Sequence, residues 1–408
     1  MKKIIGVCLA ACGLLNAAGF KIPEQSNDSV ALLNSNVATS FGADAAYNNP
    51  ANMVFLDGER SSFENSLTYL QMAKTKFSHA GGQKFTSKKA GAFVPTFHFV
   101  SPKIGDSFRV GFSLVVPAGM SMRWEDGLPR AMSKKFDLKV VEANPSVAYA
   151  VTDSFAFALG LRAVYTRGEA VNDILPSKYS QDIKGDGIHF GYNLAITYKP
   201  TSDLSLAATY RSKVNMKLKG DSQIVLPLDS PYSGSASLSV PLPASLNLAL
   251  SYKISNTTLM FDFERTYWSA WKELDFEYGD ATAEQRTNFY FKKFDDPKRR
   301  DWKNSDAYRI GIAHDATDKL RLMGAVTFDE AASRTYTTGY DLPDTNSVIY
   351  AAGFNYKFTD ALELGASYFY QNRKARDAKH VSGNRYDPNG RFERGNAQAI
   401  NLGVKYKF

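Results

Sequence analysis

The chain has 408 residues, of which 44% are hydrophobic and 13% aromatic, and its formal net charge is +8. Mean hydropathy is −0.30, and the sequence has no internal apolar run of the roughly 18 residues that a membrane-spanning helix needs, so helical spans are excluded. A basic chain can bind nucleic acid, but export and strand content favour anionic lipid, lipopolysaccharide or carboxylate ligands instead.

The amino terminus has the pattern of a secretory signal peptide. Two lysines precede a short apolar stretch over residues 4–15, which is the order of parts in an export signal. We predict cleavage after Ala17, so that residues 1–17 form the signal peptide. Cleavage after Ala18 is the near alternative.

Both cysteines, Cys8 and Cys12, lie in this leading segment. A lipoprotein processing site ending at Cys12 is a second interpretation of the same stretch. Under the preferred cleavage the mature chain has no cysteine, which removes disulfides, thiolate metal sites and cysteine nucleophiles. The five histidines are not paired at metal-ligand spacing, and we expect no metal and no cofactor.

Residues 18–58 lack the alternation that marks the rest of the chain. Ser26 precedes an apolar run in the manner of a helix cap, and Asn49 with Pro50 has the pattern of a turn. Small residues are frequent, and the apolar content is too high for a linker. We predict a compact plug of short helices, called the hatch below.

From about residue 59 to the end, strands with period-2 alternation repeat. In the run that begins at Ile188, one face is apolar and the other is polar or small; the apolar face consists of Phe190, Tyr192, Leu194, Ile196 and Tyr198. The last strand ends on Phe408, and such a terminal aromatic is typical of bacterial outer-membrane barrels. We predict an all-β fold, a transmembrane antiparallel β-barrel over residues 59–408, with its apolar faces toward lipid.

The connections between strands alternate in length. The short ones cover residues 102–106, 152–153, 200–203, 254–256, 315–318 and 359–360. The long ones cover residues 74–89, 119–137, 169–185, 221–235, 272–305, 331–346 and 375–396. Short turns on one side, long loops on the other and about fourteen strands are the outer-membrane arrangement. A soluble β-sandwich or propeller is the alternative.

Short motifs follow one another along the mature chain: Ala18-Gly19-Phe20, Asn49-Pro50-Ala51, Val94-Pro95, His98-Phe99-Val100, Pro117-Ala118-Gly119, Thr209-Tyr210-Arg211, Trp268-Ser269, Asp306-Ala307-Tyr308-Arg309 and Tyr406-Lys407-Phe408. In this order the chain resembles the FadL-type long-chain fatty acid transporters of the outer membrane, the OmpP1/FadL/TodX group. The resemblance implies a fourteen-stranded barrel with an N-terminal helical hatch inside the lumen. It also implies passive, ligand-gated diffusion of hydrophobic molecules with lateral release into the membrane.

The resemblance further implies a lateral gate. It matches residues 117–121, called the kink below, to an inward bend of the third strand that opens the wall; they are Pro117, Ala118, Gly119, Met120 and Ser121. Proline and glycine also collect at ordinary strand ends, which is the alternative. Asn49, Pro50 and Ala51 would anchor the hatch to the wall near the kink, or form a plain turn.

Three residues are candidates for the ligand pocket. The resemblance has Phe20 line the pocket and shift when ligand binds; buried apolar filler is the alternative. Arg299 matches a carboxylate-binding lysine of the family, and a cation there would hold a fatty carboxylate. The family's second basic residue falls on Asn172, for which Arg167 is a substitute. The alternative for the basic cluster around Arg299 is a solvated loop that meets lipopolysaccharide phosphates.

We therefore expect a monomeric transporter in the outer membrane, in contact with membrane lipid and lipopolysaccharide. Its predicted cargo is a long-chain fatty acid or another hydrophobic small molecule. Uptake of aromatic hydrocarbons, a general porin and a surface adhesin are the alternatives. We expect no enzymatic role, because no local motif supports a serine–histidine constellation, and no nucleic-acid partner.

Overall fold

The structure is a computed structural model that describes residues 19–57, 59–174, 179–226, 231–379 and 387–408. The predicted signal peptide, residues 1–17, lies outside the described residues. Within them, 14 antiparallel strands close into a barrel, which confirms the predicted fold class. The strands are β1 (Ser62–Met72), β2 (Ala90–Val100), β3 (Phe108–Arg123), β4 (Lys135–Thr152), β5 (Phe155–Ile174), β6 (Tyr179–Tyr198), β7 (in two halves, Leu204–Arg211 and Val214–Val225), β8 (in two halves, Tyr232–Leu242 and Ser245–Ile254), β9 (Thr257–Thr266), β10 (Ser305–Asp315), β11 (Leu320–Asp329), β12 (Ser347–Lys357), β13 (Leu362–Arg373) and β14 (Gly395–Lys407).

The barrel closes through its first strand. Ser62 of β1 is opposite Val100 of β2 on one side and Lys407 of β14 on the other, and both pairings continue to Met72. Closure leaves β1 without an open edge, as a membrane barrel requires, because unpaired backbone groups are costly in hydrocarbon.

Period-2 alternation places the side chains as predicted. On β6 the aromatic and aliphatic residues face outward, with Phe190 76% exposed and Leu194 46% exposed, whereas Asn193 and Thr197 face inward and are buried. Outward apolar residues cost nothing in lipid, and inward residues meet the polar lumen.

Turns on one rim are short and loops on the other are long, and we assign the short-turn rim to the periplasmic side. Three predicted loops are wrong in extent: residues 119–137, 169–185 and 221–235 contain the ends of the β3–β4, β5–β6 and β7–β8 hairpins. These hairpins continue past the apolar band, where both faces of a strand can be polar, so the loss of alternation does not mark the strand end.

The helices are short. They are α1 (Asn27–Ala31), α2 (Ala45–Asn48), α3 (Gly127–Ser133), α4 (Ala283–Thr287) and α5 (Phe289–Asp295), with 3-10 turns at Ser35–Ala38, Pro50–Phe55 and Trp268–Ala270. None of the helices in the described ranges is long and apolar enough to cross a membrane.

The leading segment fills the lumen at the short-turn rim. Helix α1 packs against β11 to β14, the turn Ser35–Ala38 packs against β7 to β10, and the turn Pro50–Phe55 packs against β3 to β6. Ser26 caps α1 as predicted, because its hydroxyl accepts a hydrogen bond from the Ser29 backbone. Elements in the hatch therefore contact most of the inner wall.

A buried ion pair ties this segment to the last strand. Lys405 Nζ on β14 lies 2.6 Å from Asp28 Oδ2, and both side chains are at most 9% exposed. A buried charge needs such a partner, because an unpaired one would cost several kcal/mol. The pair therefore fixes α1 to the barrel.

Candidate functional site

The wall has a gap between β2 and β3. Pairing between these strands covers only Phe97 to Val100 of β2, opposite Leu114 to Gly111 of β3. The rest of β2, from Ala90 to Thr96, pairs with β1 alone. Further out, the Lys88 amide donates to the Arg123 carbonyl at 2.9 Å and limits the gap at the loop side.

The kink forms the β3 side of this gap. On the β4 side the register shifts between Val115 and Ala118, so that two residues of β3 are opposite one of β4. Pro117 lies in this bulge, where its missing N–H removes a ladder donor. The predicted irregularity of the third strand is thus present, and its role as a gate stays a prediction.

Residues just after the predicted cleavage site occupy the free edge of the kink. The Gly119 amide donates to the Phe20 carbonyl at 2.9 Å, and the Ile22 amide donates to the Pro117 carbonyl at 2.8 Å. The Gln25 side chain bonds both backbone groups of Val116, at 2.9 and 3.0 Å. The hatch therefore supplies the hydrogen bonds that β2 does not.

His98 closes the lower corner of the gap. Its ring nitrogens lie 2.9 Å from the Ser113 hydroxyl on β3 and 2.8 Å from the Gln25 carbonyl in the hatch. One fully buried imidazole on β2 thus joins the two strands and the plug at the point where regular pairing stops.

Phe20 is fully buried among tryptophans. Its ring centroid lies 5.0 Å from that of Trp268 and 5.7 Å from that of Trp271, in edge-on geometry. The Trp302 ring packs edge-on against Trp268 and at a tilt against Trp271. Gly19 has φ +76° and no room for a Cβ, which would lie 2.4 Å from the Trp268 ring. The start of the described chain is therefore held in an aromatic site.

The interior on the long-loop side is apolar. One cluster of buried side chains joins Phe20 to the upper strands and to the β9–β10 loop; it includes Met120, Phe136, Leu138, Val164, Met216, Leu218, Val240, Trp268, Phe276 and Phe291. A cavity within this region is lined mainly by apolar side chains, among them Leu138, Leu218 and Val240. Such a lining suits an apolar molecule.

The interior nearer the hatch is charged. Glu142 pairs with Arg162 at 2.8 Å and with Arg211 at 2.5 Å. Across the lumen, Arg309 bonds Asp262 and Glu264, each at 2.5 Å. These buried pairs oppose passage of apolar molecules straight down the barrel axis, because a greasy chain cannot replace their hydrogen bonds.

A second cavity lies between the hatch and β9 to β13. Lys21 and Glu24 line it from the hatch, and Glu264 and Arg309 line it from the wall. Lys21 also bonds Glu264 directly. Burial raises the pKa of Glu24, which lies outside the strands, to about 7.

The structure places Asn49, Pro50 and Ala51 at the short-turn rim. The Asn49 amide donates to Thr197 of β6 at 2.9 Å and to the Val37 carbonyl at 2.8 Å, and Pro50 begins the following 3-10 turn. The motif thus joins the hatch to β6 and not to the kink, and its role as an anchor stays a prediction.

The two basic pocket candidates do not line either cavity. Arg167 is exposed because β5 directs Val164 and Thr166 inward, so the odd-numbered residue points out. Arg299 has a side chain 71% exposed and pairs with Asp301. Asn172 is buried within the barrel. Arg167 and Arg299 therefore do not have the pocket contacts that were predicted for them. Phe20, in contrast, is buried inside the barrel.

Sequence reasoning missed two groups of residues here. The first group is the tryptophan cluster. Trp268, Trp271 and Trp302 lie in the loop between β9 and β10, where strand periodicity gives no information. The second group is Arg309 and its partners: two inward acidic residues on the neighbouring strand, Asp262 and Glu264, are the signal in the sequence for an interior cation.

A closed barrel with its own first segment inside, an apolar interior and a wall gap covered by that segment define a plugged outer-membrane transport barrel. The sequence agrees with this class. Residues 8–408 match the family model described as outer membrane protein transport protein (OMPP1/FadL/TodX), and the chain belongs to this family. The predicted family and outer-membrane location are confirmed, and membership of a family of transport proteins agrees with the expectation of no enzymatic role.

Curated relatives and solved structures extend the comparison. The chain is 25% identical to outer membrane protein P1 of Haemophilus influenzae, over 91% of this chain and 90% of that protein. It is 25% identical to the long-chain fatty acid transport protein of Escherichia coli O6:H1, over 87% of each. The crystal structure of a Pseudomonas aeruginosa FadL homologue superposes with a TM-score of 0.82 at 20% identity, covering 95% of this chain and 99% of that one. The Ralstonia pickettii toluene transporter TbuX gives 0.69 at 16% identity, covering 97% and 100%.

Proposed function

We propose that this protein carries hydrophobic compounds, with long-chain fatty acids as the first candidate, from the cell exterior into the outer membrane by ligand-gated passive diffusion. The observation that carries the proposal is the covered gap between β2 and β3. Residues 20–25 fill it through hydrogen bonds to the kink, so a ligand that displaces them would open a lateral exit.

The energetics favour a lateral route. A chain of about sixteen carbons has about 12 kcal/mol of hydrophobic transfer free energy, at about 0.8 kcal/mol per methylene. The apolar upper interior spares it water, whereas the ion pairs of Glu142 and Arg309 obstruct the lower lumen. An exit through the wall leads such a chain directly into lipid.

Phe20 has a gating role in this proposal. It lies in the apolar cluster and in the segment that bonds the kink. A ligand that enters the aromatic site competes with its ring, and loss of that ring's packing weakens the hydrogen bonds of Ile22 and Gly119. Binding and opening are then linked through one short piece of chain.

Aromatic hydrocarbons are a second candidate cargo. Neither Arg167 nor Arg299 lines the two cavities described above. Phe20 packs edge-on against Trp268 and Trp271, and both indoles contact Trp302. Neutral aromatic molecules suit such a site. The toluene transporters among the similar structures share the fold with this chain.

Uptake by cells that lack their own fatty acid transporter tests the proposal. Cells that produce this chain should take up radiolabelled oleate or toluene in a saturable manner and should exclude polar solutes of similar size. In planar bilayers the intact protein should conduct ions poorly, and removal of residues 19–57 should raise the conductance strongly. A wide pore in the intact protein, or no uptake of either compound, would contradict the proposal and favour a porin.

A further inference from the structure

The cavity between the hatch and β9 to β13 is lined by several hydrogen-bond acceptors that have no donor. Four side-chain oxygens on its lining residues have no hydrogen-bond partner within the described part of the chain: Glu24 Oε2, Thr327 Oγ1, Asp329 Oδ1 and Gln371 Oε1. All four residues are at least nine-tenths buried, with exposures of 5%, 3%, 7% and 0%. Buried acceptors without donors are costly, so the cavity calls for an occupant that donates.

The charged groups that line the cavity also favour a donor. Lys21 and Arg309 are its cations, and both are already bonded to carboxylates, Lys21 to Glu264 and Arg309 to Asp262 and Glu264. Glu24 and Asp329 add two further carboxyl groups without an ion-pair partner of their own in the described structure. The site therefore suits a positively charged donor.

The rest of the lining is apolar. Pro23, Ala307, Ile349 and Phe369 form this part of the wall. No group of three or more metal-ligating side chains occurs in the ranges that the structure describes, so a bare metal ion is not the occupant that this lining fits. An ammonium group on a short hydrocarbon chain matches both parts of the surface.

We propose that this cavity is a binding site for primary alkylammonium ions, with the ammonium group donating to Glu24, Asp329 and Gln371 and the alkyl chain lying against Ile349 and Phe369. The site is separate from the apolar cluster around Phe20, and it does not depend on the cargo proposed above. Its occupant would contact the hatch through Glu24 and the barrel wall through Asp329, and would stabilise their docking.

Three ligands of equal chain length test this on the purified full-length barrel in detergent, by isothermal titration calorimetry. Hexylammonium should bind, hexanol should bind at least tenfold more weakly, and hexanoate should not bind at this site. Equal affinity for hexanol and hexylammonium would overturn the proposal. So would the absence of measurable hexylammonium binding, because the acceptors would then be satisfied by water only.

Two substitutions locate the site. Glu24→Gln and Asp329→Asn should each lower hexylammonium affinity at least tenfold, while Asp360→Asn, in an exposed turn, should leave it unchanged. Glu24 is on the hatch, so Glu24→Gln leaves the barrel wall unchanged and remains informative if Asp329→Asn fails to fold. The electrophoretic shift between the folded and the heated barrel shows whether each variant is folded. Unchanged affinity in Glu24→Gln would overturn the assignment. Oleate or toluene uptake by the same cells reports the transport proposal separately.

Discussion

Truncation of Phe20 to alanine should release the leading segment from the kink. The ring is fully buried and has edge-on contacts with Trp268 and Trp271 at 5.0 and 5.7 Å. It is the largest apolar side chain in the stretch that bonds β3, so its packing should contribute strongly to holding residues 20–25 in the gap.

The expected loss is large. Phenylalanine to alanine in a packed core costs about 3–5 kcal/mol, and we take about 3 kcal/mol because the site is free to collapse around the smaller residue. Each 1.4 kcal/mol is about tenfold in an equilibrium constant. Opening of the segment should therefore rise by about two orders of magnitude.

Amide hydrogen exchange measures this directly. The Ile22 and Gly119 amides donate to Pro117 and Phe20 across the gap, and they exchange only when the segment leaves. In Phe20→Ala both should exchange about a hundredfold faster. Phe190→Ala removes the same ring from the lipid-facing wall, where Phe190 is 76% exposed, and should change neither. If Phe20→Ala left both amides as protected as in the wild type, Phe20 would not hold the segment.

Three more outcomes are expected. Docking of the hatch should weaken as the pH rises from about 4.5 to about 7 and should then stay constant. The Glu24 carboxyl has an ordinary pKa of 4.5 and a pKa of about 7 when docked, so it holds its proton more tightly in the docked state, and at about 1.36 kcal/mol per pH unit the full penalty, reached above pH 7, is about 3 kcal/mol. Ile22 exchange, corrected for intrinsic rate, should be faster at pH 8 than at pH 5, and equal rates would argue against it. Arg299→Ala should leave oleate affinity in a binding titration unchanged, because the side chain is 71% exposed and paired with Asp301; a tenfold loss would restore its carboxylate role. Lys405→Met should leave the buried Asp28 carboxylate without its cation, at a cost of about 3–5 kcal/mol. Limited proteolysis should then cut the hatch at a lower urea concentration than in the wild type. Lys357→Met, at an exposed wall position, is the control.

The wall of the barrel was accessible from the sequence because period-2 alternation is a direct consequence of strand geometry. It predicted which residues of β6 face lipid, and it identified the short turns. The same rule could have excluded Arg167, since Arg162, Val164 and Thr166 are all inward on β5. Arg167 lies five residues before the inward Asn172, and an odd spacing along a strand places two side chains on opposite faces.

Other parts of the site have no periodic signature. The positions of Trp271, Arg299 and Trp302 depend on the long β9–β10 loop, whose path is fixed by tertiary packing. This loop contains short helices and two paired two-residue strands, Glu273–Leu274 and Lys298–Arg299. The extended hairpins at β3–β4, β5–β6 and β7–β8 have loop-like sequences because the alternation of hydrophobicity ends where the bilayer ends, whereas backbone pairing does not. Glu24 and Asp329 are far apart in the sequence, and only the folded structure shows that they line the same cavity.

A reversible covalent bond between the hatch and the kink is the most direct measurement. Lys21 and Ala118 are opposite each other in an isolated antiparallel bridge. The hydrogen bonds of the Gly119 and Ile22 amides lie on either side of the two residues, so they form a non-hydrogen-bonded pair. The Cα atoms of such a pair are about 4.5 Å apart, which is within the range of a disulfide. Oxidised Lys21→Cys/Ala118→Cys should abolish oleate and toluene uptake, and reduction should restore it, while the two single variants should respond to neither treatment. Uptake at the wild-type rate with the disulfide formed would mean that cargo does not leave through the gap that residues 20–25 cover.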